Sequence, residues 1–144
     1  MTQVLELAQI DLHGKATTPE EAINEAGRLL VQSGAVTADY VGFMHDREAT
    51  VSTYMGNFLA IPHGTNEAKE TILDSALSFV RYDQPIDWNG NEVRFVVGIA
   101  GKDGGHMEVL SKIAIVFSED DDVEALLKAE TPEEVLAQLG DINE

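Results

Sequence analysis

The sequence contains no cysteine. That excludes disulfides, thiolate nucleophiles and every cysteine-based metal site, so a covalent intermediate must form on some other side chain. Long apolar runs are missing too. The longest, "FVVGIAG" from Phe95, is strand-sized and far below the roughly 20 residues of a membrane span. The N-terminus "MTQVLELAQIDLHGK" has neither the basic opening nor the apolar core of a signal peptide, and the expected location is cytoplasmic. Positive charge is scarce: 9 basic residues stand against 26 acidic ones, a net charge of -17. Such a surface repels phosphate backbones, so nucleic acid and anionic membranes are poor partners, and a protein with a basic face is the better one. The acids are spread through helical segments, which also fits a merely solvated surface. Finally, there is no G-x-G-x-x-G, G-x-S-x-G or H-E-x-x-H, and "GIAGKDGG" lacks the Lys-Ser/Thr ending of a phosphate loop.

What is present reads as one globular unit over 1–144. Hydrophobic residues make up 44% of the chain, enough for a sizeable core, and no Pro/Ser-rich linker divides it. "TTPEEAINEAGRLLVQSG" predicts a helix with Thr18 as N-cap, Pro19 at the first position and Glu21 closing a capping box. Ile23, Ala26, Gly27 and Leu30 form its apolar stripe, and Gly34 ends it. A second helix follows Thr37, with Tyr40, Val41 and Met44 inward and "HDRE" near its end. "NFLAIP", "ILDSALSFVRY" and "EVRFVVGIAG" read as strands, the last apolar enough for mid-sheet. "YDQPIDWNGNE" supplies turn chemistry between the latter two, with Asn89-Gly90 as the hairpin signal. Helical spacing resumes at Val109, Leu110, Ile113, Val116 and Phe117; a short helix follows "EDDD", and "TPEE" repeats the start signal at Thr131. Helices at both ends of a central run of strands predict an α/β fold, a three-layer α/β/α sandwich around a mixed sheet.

Four histidines are candidates for chemistry: His13, His45, His63 and His106. His63 stands where an apolar strand stops, between Pro62, which cannot donate to a ladder, and Gly64, which permits a sharp turn. The imidazole is then held at the sheet's rim, either capping a turn or presented as a nucleophile. The backbone N–H groups of Gly64 and Thr65 and the Thr65 hydroxyl can face a bound anion. His106 follows a glycine pair and opens a helix, where partial positive charge favours an anion. Arg47 is either a surface charge or a bidentate clamp for phosphoryl oxygens. A metal hydrolase built on His45, His63, His106 and Asp103 is a further reading, but no local ligand spacing supports it.

"GNFLAIPHGTNEAKETIL", together with "TPEEAI", "HDRE", "GIA…HMEVLSKI" and "VLAQL", resembles the mannitol/fructose class of enzyme IIA domains of the bacterial phosphoenolpyruvate-dependent sugar phosphotransferase system. The similarity runs over nearly the whole chain. "PHGT" followed by "EAK" looks more mannitol-type than fructose-type or nitrogen-regulatory. The resemblance implies that His63 carries the phosphoryl group on Nε2, that His106 is the second active-site histidine and that Arg47 binds phosphate. It further implies a single EIIA type-2 domain without a cofactor. Its partners would be the phosphocarrier HPr and a sugar-specific enzyme IIB with membrane IIC on separate polypeptides. A nitrogen-related regulatory IIA is the alternative.

Overall fold

The computed structural model describes residues 4–102 and 106–143, apart from the side chains of Asn66, His106, Met107, Asp141 and Asn143. Five strands form one sheet: β1 (Ile10–Asp11), β2 (Tyr54–Gly56), β3 (Leu59–Ala60), β4 (Ala76–Trp88) and β5 (Asn91–Ala100), in the order β1-β4-β5-β3-β2. The pairs β1/β4 and β3/β5 are parallel, whereas β4/β5 and β2/β3 are antiparallel. The sheet is therefore mixed, as the sequence pattern predicts, with β5 in the middle.

Side chains of β4 alternate between two helical layers because a strand has a period of two. Ala76, Val80 and Tyr82 pack with α1 (Pro19–Gln32) and α2 (Asp39–Thr50). Leu77 and Phe79 face α3 (His106–Phe117), α4 (Asp120–Lys128) and α5 (Pro132–Leu139). On that second face Phe95 stands between Phe79 and Phe117, with ring centroids 5.7 and 5.3 Å away. Tilted and edge-on contacts of this kind add to area burial.

The two Thr-Pro-Glu-Glu starts cap their helices alike. Thr18 Oγ1 accepts from the Glu21 N–H and Thr131 Oγ1 from the Glu134 N–H, both at 3.2 Å. The returning glutamate differs from a closed capping box: Glu21 accepts the N–H of Thr17, and Glu134 that of Glu130. Each carboxylate thus reaches one residue before the cap. The acids of "EDDD" do not precede a helix; Asp120, Asp121 and Asp122 form the first turn of α4, where the helix dipole favours negative charge.

Three strand readings need correction. Tyr82–Trp88 is not loop but the second half of β4: Tyr82, Ile86 and Trp88 are buried while Asp83, Gln84 and Asp87 are exposed. Pro85 is tolerated because the register with β5 shifts between Arg81 and Ile86. The turn is Asn89-Gly90 alone, both with positive φ (54° and 91°), which suits a tight hairpin. "ILDSALSFVRY" becomes strand only at Ala76, and "NFLAIP" contributes only Leu59–Ala60.

Arg81 is buried on β4, and its Nη1 donates to the carbonyls of Leu126 (3.0 Å), Leu127 (3.3 Å) and Ala129. It closes the C-terminal end of α4, where carbonyls lack helical partners and a cation is favoured. Arg81→Met should lower stability by about 3 kcal/mol, since it strands these acceptors in the interior. Urea unfolding checks this as a fall in midpoint at unchanged slope, and a loss under about 0.5 kcal/mol would show that water or a local shift satisfies them.

Candidate active site

β3 and β5 run side by side in the same direction, with Leu59 beside Phe95 and Ala60 beside Val96. The pairing continues past β3 as a parallel bridge from His63 to Ile99 and a bond from the Ile99 N–H to the Pro62 carbonyl, 3.0 Å. His63 therefore leaves the sheet at the carboxyl end of β3. Its neighbour β5 ends at Ala100 on the same edge, and α3 then starts at His106. The crevice outside the carboxyl ends of parallel strands is where α/β sheets generally place ligands.

A third segment reaches this edge. α2 ends at Thr50, and the Ile61 N–H donates to the Thr53 carbonyl at 3.0 Å, so the stretch after α2 lies against the stretch entering His63. Arg47, in the last turn of α2, donates from Nη1 to the Val51 carbonyl at 2.8 Å. That uses one of five guanidinium N–H groups. Next to it Glu48 accepts the Trp88 Nε1–H at 3.0 Å and the Thr53 N–H at 3.1 Å, and also pairs with the Thr53 hydroxyl. The end of α2 is thereby tied to both the site and the far end of β4.

The His63 ring is half-buried, with Nδ1 2.9 Å from the Ile61 carbonyl oxygen. A carbonyl only accepts, so Nδ1 carries the proton, and in the neutral ring Nε2 holds the lone pair. That is the tautomer a nucleophile at Nε2 requires.

The surrounding anion-binding groups differ from the sequence reading. The Gly64 N–H does not await an anion; it donates to the Tyr40 hydroxyl at 2.9 Å. Thr65 Oγ1 is buried without a hydrogen bond of normal geometry. It faces the exposed Glu67 carboxylate, which its own backbone N–H first and the Thr65 hydroxyl second hold below the usual carboxylate range.

His106 stands at the first position of α3, and its side chain lies outside the described residues, as does all of Asp103. His45 and His13 are elsewhere: His45 Nε2 pairs with Asn24 Oδ1 of α1 at 2.8 Å, and His13 with exposed Asp83 at 3.4 Å. Among the described residues no group of three acidic or histidine side chains could hold a metal.

Sequence reasoning missed Tyr40 and Glu48. Tyr40 was legible as an inward helix position, but its hydroxyl was not. That hydroxyl donates to the Ile99 carbonyl at 2.6 Å while accepting from Gly64. A Cβ on Gly64 would come within 2.7 Å of the Tyr40 ring, so only glycine fits there.

A rim histidine at the carboxyl end of a parallel strand, with Nδ1 bonded to the Ile61 carbonyl, suits a phosphoryl-accepting α/β module. Comparison with known proteins gives the family. Residues 3–141 match the family model described as phosphoenolpyruvate-dependent sugar phosphotransferase system, EIIA 2, and the chain belongs to that family. It is 52% identical to the mannitol-specific phosphotransferase enzyme IIA component of Halalkalibacterium halodurans, over 98% of this chain and 97% of that one. Identity to the Staphylococcus aureus protein of the same name is 48%, over 94% of both chains. Among solved structures it resembles IIA mannitol from Escherichia coli, with a TM-score of 0.87 and 36% identity over 94% of this chain and 99% of that one. It likewise resembles the nitrogen regulatory protein IIA-Ntr of Neisseria meningitidis, with 0.83 and 30% over 94% and 96%.

Burial raises the Tyr40 hydroxyl to about 12, with the Gly64 N–H opposing in part. Its folded value lies above its unfolded one, near 10, so its contribution is fully present below pH 10 and is lost as pH rises through about 12. Stability should therefore fall between about pH 10 and 12, and more shallowly in Tyr40→Phe; denaturant titrations across that range check it. Buried Tyr82, also raised by burial and then by Glu25, leaves a residual slope in the variant.

Proposed function

We propose that this chain is the IIA phosphoryl carrier of a mannitol phosphotransferase system, working in the cytoplasm. His63 takes the phosphoryl group from the phosphohistidine of HPr and passes it to a cysteine of enzyme IIB. The observation that carries this reading is the Nδ1–H to Ile61 bond, which leaves Nε2 as the nucleophile. In the first step the P–N bond of the donor breaks as a P–Nε2 bond forms in line. In the second, P–Nε2 breaks as a P–S bond forms on the IIB thiolate. Phosphoryl transfer of this type depends on positioning and charge stabilisation more than on covalent help. Arg47, the Thr65 hydroxyl and His106 at its helix start are the groups we assign to that charge. Gly64 acts through its fit to Tyr40 and its N–H bond to the Tyr40 hydroxyl rather than by holding the phosphoryl group.

The substrate assignment is supported by relatives at 46–52% identity named as mannitol-specific components. The IIB partner is supported by the likeness to the Escherichia coli complex of enzyme IIAMTL and phosphorylated enzyme IIBMTL, TM-score 0.89 at 35% identity over 95% of this chain and 97% of that one. The regulatory alternative shares the fold but has the weaker sequence support. No described helix is long and apolar enough to cross a membrane, which suits a carrier that meets its membrane component through IIB.

Incubation with phosphoenolpyruvate, enzyme I and HPr should give an acid-labile, base-stable adduct that disappears in His63→Ala. A full-strength adduct on that variant would sink the assignment. Transfer in a system reconstituted with IIB and IIC, scored across several polyols, should be fastest with mannitol. Arg47→Lys keeps the charge but loses the planar fork, so transfer onto His63 should slow on the order of a hundredfold, with Arg47→Ala no faster. Rapid-quench rates check this, and a loss of only a few-fold in both would remove Arg47 from the site. His106→Gln should still be phosphorylated at His63 yet pass the group on slowly.

A further inference from the structure

His63 is held from both sides by one point on β5. The Pro62 carbonyl, just before it, accepts the Ile99 N–H at 3.0 Å. The Gly64 N–H, just after it, donates at 2.9 Å to the Tyr40 hydroxyl, which itself donates at 2.6 Å to the Ile99 carbonyl. The backbone flanking the histidine is thereby fastened to the two polar groups of a single residue, directly on one side and through Tyr40 on the other. Tyr40 is 2% exposed, on the face of α2 that packs against the sheet, so its hydroxyl is fixed by the helix and the core beneath it. Its ring lies close enough to Gly64 that no side chain fits between them.

We propose that Tyr40 is a positioning residue for His63: through Gly64 and Ile99 it holds the ring in the Nδ1–H tautomer, with Nε2 presented to the phosphoryl donor. The Nδ1–H bond to the Ile61 carbonyl spans only two residues, so its geometry depends on how the backbone turns at residues 62–64. Without the hydroxyl, Gly64 loses the acceptor of its N–H and the turn relaxes. The imidazole then samples the other tautomer, whose protonated Nε2 cannot attack phosphorus. Tyr40 acts on His63 through Gly64 and Ile99. Its high pKa keeps the hydroxyl protonated, and so able to donate to Ile99, throughout the physiological range. The inference rests on the functional reading only for its second half; the tautomer is a property of the resting protein.

The test is Tyr40→Phe, which keeps the ring and removes the hydroxyl. Long-range proton–nitrogen spectra of labelled protein, at a pH where the ring is neutral, identify the His63 tautomer, with His63→Ala assigning the signals. Wild type should show Nδ1–H alone and the variant a mixture. In single-turnover transfer from phospho-HPr, the plateau rate should fall about tenfold while the half-saturating donor concentration stays within about twofold. A purely structural role would lower the melting temperature alone; retention of the pure tautomer, or a plateau within about twofold of wild type, overturns the proposal. Should Tyr40→Phe fail to fold, Tyr40→3-fluorotyrosine keeps the shape and weakens the hydroxyl as an acceptor. It should then move the Gly64 amide proton and admit some Nε2–H form, and unchanged spectra would count against the proposal. A wild type that takes no phosphoryl group would remove the relay reading, while the tautomer comparison would still decide the part played by Tyr40.

Discussion

The parallel register of β3 on β5 is the constraint on which the site depends. It is short, with Leu59 beside Phe95 and Ala60 beside Val96, yet it continues to His63 beside Ile99. A slip of one residue would exchange the two faces of the strand, moving Leu59 out of the α3–α5 layer and Ala60 out of the α1–α2 layer. It would also turn His63 away from the edge. The hydrophobic difference between the two faces thus fixes where His63 leaves the sheet, a few residues downstream.

Two helical layers use that register differently. The α1–α2 layer brings the Tyr40 hydroxyl to the edge beside His63, while Glu48, two turns further along the same helix, holds Thr53 and Trp88. The α3–α5 layer contributes the start of α3 and is held to the sheet by aromatic packing and by Arg81 under α4. The candidate site lies at the edge where β3 and β5 both end, beneath the start of α2.

Much of this was legible in the residues, for reasons that differ by element. The threonine caps and the Asn89-Gly90 turn are local chemistry and read directly. β5 was legible as central because both of its faces are apolar. β1 and β2 were invisible: two and three residues carry no periodicity, and their pairing comes from neighbours already in place. Tyr82–Trp88 misled because proline and aspartate are turn residues by composition, while the register shift that excuses Pro85 is a tertiary fact. At the site, the sequence pattern placed His63 and the resemblance gave it a partner chemistry. The employment of the Gly64 N–H could not be read, because its acceptor is 24 residues away.

The outer strands have a further consequence. The long strands, of 13 and 10 residues, are both interior, and the rims are β1 and β2, of two and three. Little ribbon is therefore left for another chain to extend the sheet by main-chain pairing, which protects the protein from edge-to-edge aggregation. The same economy bears on traffic between partners. A relay must let go of one protein before it meets the next, and an added strand would be slow to peel away. With so little edge to offer, strand addition is a poor way for another protein to hold this chain.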